Sequence, residues 1–168
     1  MLFDVRSILH TPGKRLSFQF DLDLTDVDFS GRYPVSEIVA VEGDVRNTAD
    51  VLELNLTART VLDAVCDRCG KEFRQEKEVL YSCVLAEEVQ DEDNIEIVLL
   101  EGGMVDVEDL ARTAFILEMD TKTLCSEDCK GLCPGCGADL NLGPCSCHKE
   151  VDPRLAVLAK LLENSDQE

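Results

Sequence analysis

The stretch VSEIVAVEGDVRNTADVLELNLTARTVLDAVCDRCG, residues 35 to 70, decides the reading of the fold. In its second half Leu52, Leu54, Leu56, Ala58, Thr60, Leu62 and Ala64 alternate with Glu53, Asn55, Thr57, Arg59 and Asp63. A period of two puts the first set on one face of a strand and the second set on the other. That is the pattern of an antiparallel strand with one dry and one wet face. Residues 35 to 46 read as its partner strand, and NTAD, residues 47 to 50, supplies the turn. The second strand of this long hairpin runs straight into Cys66 and Cys69 of a C-x-x-C-G motif.

Outward from the hairpin, the chain continues in both directions as half-buried elements. LSFQFDLDL, residues 16 to 24, alternates with Leu16, Phe18, Phe20, Leu22 and Leu24 on one face. Residues 1 to 15 read as an opening strand and a turn at Pro12 and Gly13, and residues 25 to 34 as a loop. On the other side VLYSCVLA, residues 79 to 86, extends the meander, with Cys83 as a small buried hydrophobe. EEVQDEDN, residues 87 to 94, is a solvated acidic loop, and IEIVLL, residues 95 to 100, a further strand closed by Gly102 and Gly103. The period then changes. DVEDLARTAFILEMD places Asp106 at an N-cap and Val107, Leu110, Ala111, Ala114 and Leu117 at helical spacing. A closing helix starts at Asp152 and Pro153, with Leu155, Leu158, Ala159 and Leu162 on one stripe. The fold class is therefore α+β: an antiparallel sheet with a long hairpin, a packing helix, a cysteine-rich segment and a C-terminal helix. Residues 1–124 form a β-rich core with its helix, and residues 125–168 a cysteine-rich segment and a terminal helix expected to pack on that core.

Composition restricts the function. The 168 residues carry 35 acids against 16 bases, a net charge of −19, which disfavours broad phosphate binding and favours a basic partner. No run approaches the roughly 18 apolar residues of a membrane span, and the N-terminal MLFDVRSILH lacks the apolar core of a signal peptide. A cytoplasmic location follows as the expectation, and there thiols stay reduced. No G-x-S-x-G, P-loop or H-E-x-x-H motif is present, and the two histidines, His10 and His148, stand far apart. No catalytic constellation and no small-molecule substrate are expected.

Nine cysteines in such a chain argue for metal rather than disulfides. Eight fall into close groups: Cys66 and Cys69, Cys125 and Cys129, Cys133 and Cys136, Cys145 and Cys147. Two thiolates separated by two residues reach one tetrahedral ion at about 2.3 Å each. A following glycine tolerates the positive φ of the tight turn, and both C-x-x-C pairs have one, Gly70 and Gly137. Structural zinc, as one or two ions, is the expected cofactor. Two groupings fit the spacing. Cys66 and Cys69 can share an ion with Cys133 and Cys136, as in a zinc ribbon. Alternatively Cys133, Cys136, Cys145 and Cys147 close a local site, leaving Cys66, Cys69, Cys125 and Cys129 for a second. The eight residues between Cys136 and Cys145 make a loop cheap to close, which favours the local site. His148 is an alternative ligand beside Cys147. Dithiol redox chemistry is the rival reading of C-x-x-C. It calls for a βαβ setting, and Cys66 instead ends an antiparallel strand.

The β-rich half running into CDRCGKEF, the acidic mid-chain loop, the helix DVEDLARTAFILEMD, the segment CSEDCKGLCPGCGADLN with its later C-x-C, and the ending DPRLAVLAKLL together resemble the YceD family. The cysteine-rich C-terminal part is similar to one subtype of that family. The resemblance implies a non-enzymatic role in accumulation or processing of 23S ribosomal RNA, and so in ribosome biogenesis. It implies a partner among ribosome assembly components: a ribosomal protein, a processing factor, or a local 23S RNA contact around Arg68, Lys71 and Arg74. No catalytic residue carries over. The alternative is a zinc-stabilised interaction module with a non-ribosomal client.

Overall fold

The computed structural model of the chain describes residues 1–29, 31–88 and 97–147. They divide into two compact units, one of Met1–Val65 with Glu72–Thr123, the other of Cys66–Lys71 with the chain from Leu124. The first unit holds the sheets: β1 (Leu2–Asp4), β2 (Arg15–Leu22), β3 (Val39–Thr48), β4 (Val51–Val65), β5 (Glu72–Ala86), β6 (Ile97–Leu99) and β7 (Met104–Asp106), followed by α1 (Val107–Leu117). Strands β2-β3-β4-β5-β6 form one sheet in that order, and β1 pairs with β7 in a small second one. The α+β class is observed, with a sheet that is antiparallel except for its last pair.

Alternation in the sequence becomes burial in the sheet. Leu52, Leu54, Leu56, Ala58, Leu62 and Ala64 of β4 are all buried, while Glu53, Asn55, Arg59 and Asp63 are exposed. Leu54 sits between Val45 of β3 and Cys83 of β5, so the same face continues across three strands. The core is completed by Phe18, Leu22, Val39, Val41 and Val79 and by Val107, Ala111, Ala114 and Phe115 of α1. Phe18 lies against Gly43, where a Cβ would come within 2.5 Å of its ring and 2.6 Å of the Asn55 carbonyl oxygen. Only glycine permits that approach.

The β3–β4 turn is tighter than the four-residue NTAD reading. Thr48 pairs directly with Val51, leaving Ala49 and Asp50 as a two-residue loop with φ of 52° and 67°. Both residues are left-handed, which is what a type I′ turn needs to match the strand twist. Asn47 holds this turn in place. Fully buried, it donates from Nδ2 to the carbonyls of Ile8 (2.6 Å) and Leu9 (2.9 Å) and accepts the Asp50 N–H at Oδ1 (3.0 Å).

Several sequence expectations shift. β5 begins at Glu72, seven residues earlier than the strand read at 79, because β4 stays in register with it through Val65 and Glu72. β6 runs parallel to β5 and does not continue the meander. A pair only three residues long can be reached by the ten-residue connection from Ala86, since the chain extends about 3.3 Å per residue. In α1 the inward stripe ends on Phe115, whereas Leu117, read as core-facing, is exposed. Its position falls off the stripe that Val107, Ala111 and Ala114 define. Asp106 is the N-cap as expected, accepting the N–H groups of Glu108 and Asp109. The opening strand read within residues 1 to 15 is β1, whereas β7 is too short to announce itself by alternation. The terminal helix, His148, and residues 95–96 of the strand read at 95–100 lie outside the described residues. Among the described residues no helix is long and apolar enough to cross a membrane.

Asn47→Ala strands the buried carbonyls of Ile8 and Leu9 and frees the turn. The substitution is expected to cost about 3 kcal/mol, read as a lowered urea midpoint at unchanged slope. Asn47→Ser, which keeps one hydrogen-bonding group, loses less.

Candidate metal centres

Among the described residues, the second unit has almost no apolar interior. Its buried side chains among the described residues are Cys66, Cys129 and Cys133. The eight grouped cysteines form two clusters, Cys66 with Cys69, Cys125 and Cys129, and Cys133 with Cys136, Cys145 and Cys147. Within each cluster the sulfurs lie within 4.8 Å of one another. Of the two groupings compatible with the spacing, the thiols adopt the one with a local C-terminal cluster. All nine cysteines are free, and Cys83 stands apart in the sheet core.

Local backbone geometry creates each cluster. The β4–β5 connection, Cys66–Lys71, folds back on itself: the Cys66 N–H bonds the Lys71 carbonyl and the Gly70 N–H bonds the Cys66 carbonyl. Residues 133 to 138 repeat the arrangement, with Cys133 N–H to the Ala138 carbonyl and Gly137 N–H to the Cys133 carbonyl. Gly70 and Gly137 take φ of 72° and 73°, the left-handed conformation that the motif leads one to expect. A second contact joins the halves of the first cluster. The Leu132 N–H bonds the Arg68 carbonyl at 3.1 Å, and Gly131, at φ 75°, lets that carbonyl approach to where a Cβ would stand 2.9 Å away.

The sulfurs face one another across the groups. Cys66 Sγ lies 3.8 Å from Cys129 Sγ, Cys69 Sγ 3.7 Å from Cys125 Sγ, and Cys145 Sγ 3.3 Å from Cys133 Sγ. Each cluster contains one thiol primed to ionise. The N–H of Cys125, helped by those of Cys69 and Arg68, draws Cys66 down to about 6 despite the cost of burial. The N–H groups of Cys136 and Gly135, and then the Cys145 thiol, bring Cys133 to about 6. Their partners are pushed the other way. Burial, then the neighbouring thiols Cys69 and Cys66, takes Cys125 up to about 12, and its bond with Cys136 takes Cys147 to about 12. Crowded thiols cannot all carry charge unless a cation sits among them. A divalent ion supplies that charge and deprotonates its ligands outright. Four sulfurs converging from two turns suit a tetrahedral ion with no open position.

The clusters differ in exposure. In the first, Cys66 and Cys129 are buried and Cys69 and Cys125 half-buried; in the second, Cys136 and Cys147 are exposed. Two supporting residues escape the cysteine spacing. Asn141 donates from Nδ2 to Cys129 Sγ at 3.5 Å and accepts the Lys130 N–H at 2.8 Å, although it lies in the loop of the second cluster. Arg68 donates to the carbonyls of Cys129 (2.8 Å) and Glu127 (3.4 Å). Asn141 follows Asp139, whose Oδ1 accepts both its backbone and side-chain N–H, so the DLN run was the available signal. Arg68 is thus occupied within its own unit. In the first unit Arg74 is bridged to Glu37 and Asp63. These are two of the three cations suggested for a local RNA contact. Lys71 is exposed.

Second-sphere support of this kind is worth roughly tenfold or more in metal affinity. Asn141→Ala is therefore expected to weaken cobalt(II) binding at the first cluster about tenfold. The check is the sulfur-to-cobalt absorption band, titrated with both clusters intact, where the variant should weaken one of the two sites and leave the other at its wild-type affinity.

Residues 54–162 match the family described as "Large ribosomal RNA subunit accumulation protein YceD". Uncharacterised proteins of Mycobacterium tuberculosis and Mycobacterium bovis are each 30% identical over 170 residues, covering 96% of this chain and 74% of theirs. The Arabidopsis thaliana protein named "Large ribosomal RNA subunit accumulation protein YCED homolog 1, chloroplastic" is 27% identical over 166 residues, covering 80% of this chain and 52% of its own. No solved structure matches. With most of β4, the helix and the cysteine segment inside the matched region, the chain belongs to the YceD family of large ribosomal RNA subunit accumulation proteins.

Proposed function

We propose that this protein is a non-enzymatic assembly factor that supports accumulation or processing of 23S ribosomal RNA in the cytoplasm, acting by binding, with two structural zinc ions holding its second unit together. The observation that carries the reading is the convergence of eight thiols, in a chain of this family, into two closed groups of four. All-thiolate donors suit zinc, and a four-sulfur shell leaves no place for an activated water. The protein's own residues do the work of recognition. Zinc adds stability: it joins segments that otherwise have no core to share.

A protein partner fits better than broad contact with RNA phosphates. The chain carries −19, and a dication held by four thiolates adds two further negative charges at each site. Arg68 and Arg74 are engaged internally, as described. A basic ribosomal protein or a processing factor is the partner of matching charge.

Protein purified without added metal should contain close to two zinc ions per chain by elemental analysis. Cys133→Ser should remove one and abolish amide protection between 133 and 147 while leaving β3 and β4 protected. Depleting the protein from cells should lower large-subunit RNA relative to small-subunit RNA, and the double variant Cys66→Ser, Cys69→Ser should not restore it. An unchanged subunit ratio after complete depletion would falsify the ribosomal reading and leave a zinc-stabilised module with another client.

A further inference from the structure

The outward face of the five-stranded sheet is polar over most of its area. Cross-strand rows run Gln19, Glu42, Thr57 and Leu80, then Ser17, Asp44, Asn55 and Ser82, then Arg15, Arg46, Glu53 and Val84. One corner departs from this. Val84 and Ala86 of β5 stand in register with Ile97 and Leu99 of β6, and Val51 opens β4 on the same face. Leu80 lies further along β5, at the same parity. Leu80 is 70% exposed, Leu99 55% and Val51 44%, and Val84, Ala86 and Ile97 are only half-buried. Single exposed apolar residues need no explanation, but several on adjoining strands of one wet face form a patch.

The surroundings of the patch are acidic. Glu53 stands beside Val84 in register, Glu78 flanks Leu80 along β5, and Glu87 and Glu88 leave β5 exposed. Two arginines of the face are engaged: Arg59 bridges Glu42 and Glu78, and Arg15 pairs with Asp44. Arg46 stands opposite Glu53. An apolar centre inside a negative rim selects for apolar side chains carried between positive ones. A second copy of this chain would bring the same rim against itself at −19 per molecule, and RNA offers the wrong charge.

We propose that this corner, formed by Val51, Leu80, Val84, Ile97 and Leu99, is a docking surface for a lysine- or arginine-rich protein segment whose basic residues alternate with apolar ones. The inference deepens the reading of the protein as a binding factor and rests on it. It assigns recognition to the sheet of the first unit.

The test uses the full zinc-loaded chain and a fluorescent peptide of alternating valine and lysine, with a valine–glutamate peptide and a single-stranded RNA as comparators. The wild type should bind the valine–lysine peptide alone. Leu80→Ser with Leu99→Ser should weaken binding about tenfold or more, as expected for buried anchor residues. Leu80→Glu with Leu99→Glu should weaken it as well, although it adds negative charge that would strengthen a purely ionic contact. Glu53→Gln with Glu78→Gln should weaken it and flatten its salt dependence. Independently of any variant, the peptide should slow amide exchange in β5 and β6 of the wild type. Several results overturn the proposal: no peptide binding, equal binding of the acidic peptide, preference for RNA, unchanged affinity in both leucine pairs, or a dimer in sedimentation that those variants dissociate. Failure of the functional reading is seen elsewhere, in the subunit RNA ratio after depletion, so the two can fail separately.

Discussion

A chain segment that buries almost nothing apolar has to find its stability in something other than hydrophobic area. Among the described residues of the second unit the buried side chains are sulfur-bearing, and the pieces they join are far apart in sequence: Cys66 and Cys129 are separated by 63 residues, Cys69 and Cys125 by 56. Bringing such distant segments together costs loop-closure entropy that a few van der Waals contacts between sulfurs cannot offset. The four-thiol clusters are thus the constraint on which that unit depends, and an ion is the natural means of satisfying it. The first unit is built on the opposite economy. Its sheet and α1 bury a continuous apolar face, so its persistence does not hinge on any one group.

That contrast explains what could be read in the sequence. Long strands carry their own signature, since every second residue of β4 must be apolar for its face to be dry. Hence the hairpin, the helix N-cap at Asp106 and the α+β class were legible. The start of β5 was not, because Glu72 through Glu78 is charged at most positions and pairs through its backbone with the far end of β4. Nor was the parallel attachment of β6, which three residues cannot signal. The glycine at 43 illustrates the same limit. Its need arises from a phenylalanine on a neighbouring strand, which no local pattern contains.

For the candidate metal centres the two knuckles were written in the spacing, and Gly70 and Gly137 take the positive φ expected of the turn. The pairing of the knuckles was not. Both groupings satisfy the spacing, and the observed one is accompanied by a backbone contact, Leu132 to Arg68, enabled by Gly131. Asn141 and Arg68 were missed for a related reason. Each acts on a cluster through atoms distant in sequence: a sulfur 12 residues away for Asn141, carbonyls 59 and 61 residues away for Arg68. Arginine in a charged stretch looks like surface, and only the fold reveals that its guanidinium is occupied.

These occupied cations give the electrostatics a direction. A protein can be acidic on average and still present a basic patch, provided its arginines are gathered and left unpaired. Here Arg15, Arg59 and Arg74 are matched to carboxylates on neighbouring strands or loops, and Arg68 to carbonyls. Exposed pairs of this kind contribute little to stability. Their larger consequence is for the field: they cancel the positive side chains locally and leave the unmatched acids to set the potential. A surface of that sign repels a phosphate backbone at distances within the Debye length, about 8 Å at physiological salt, and attracts basic protein segments over the same range. In a member of a family named for ribosomal RNA accumulation, that field is the physical ground for the basic protein partner proposed above.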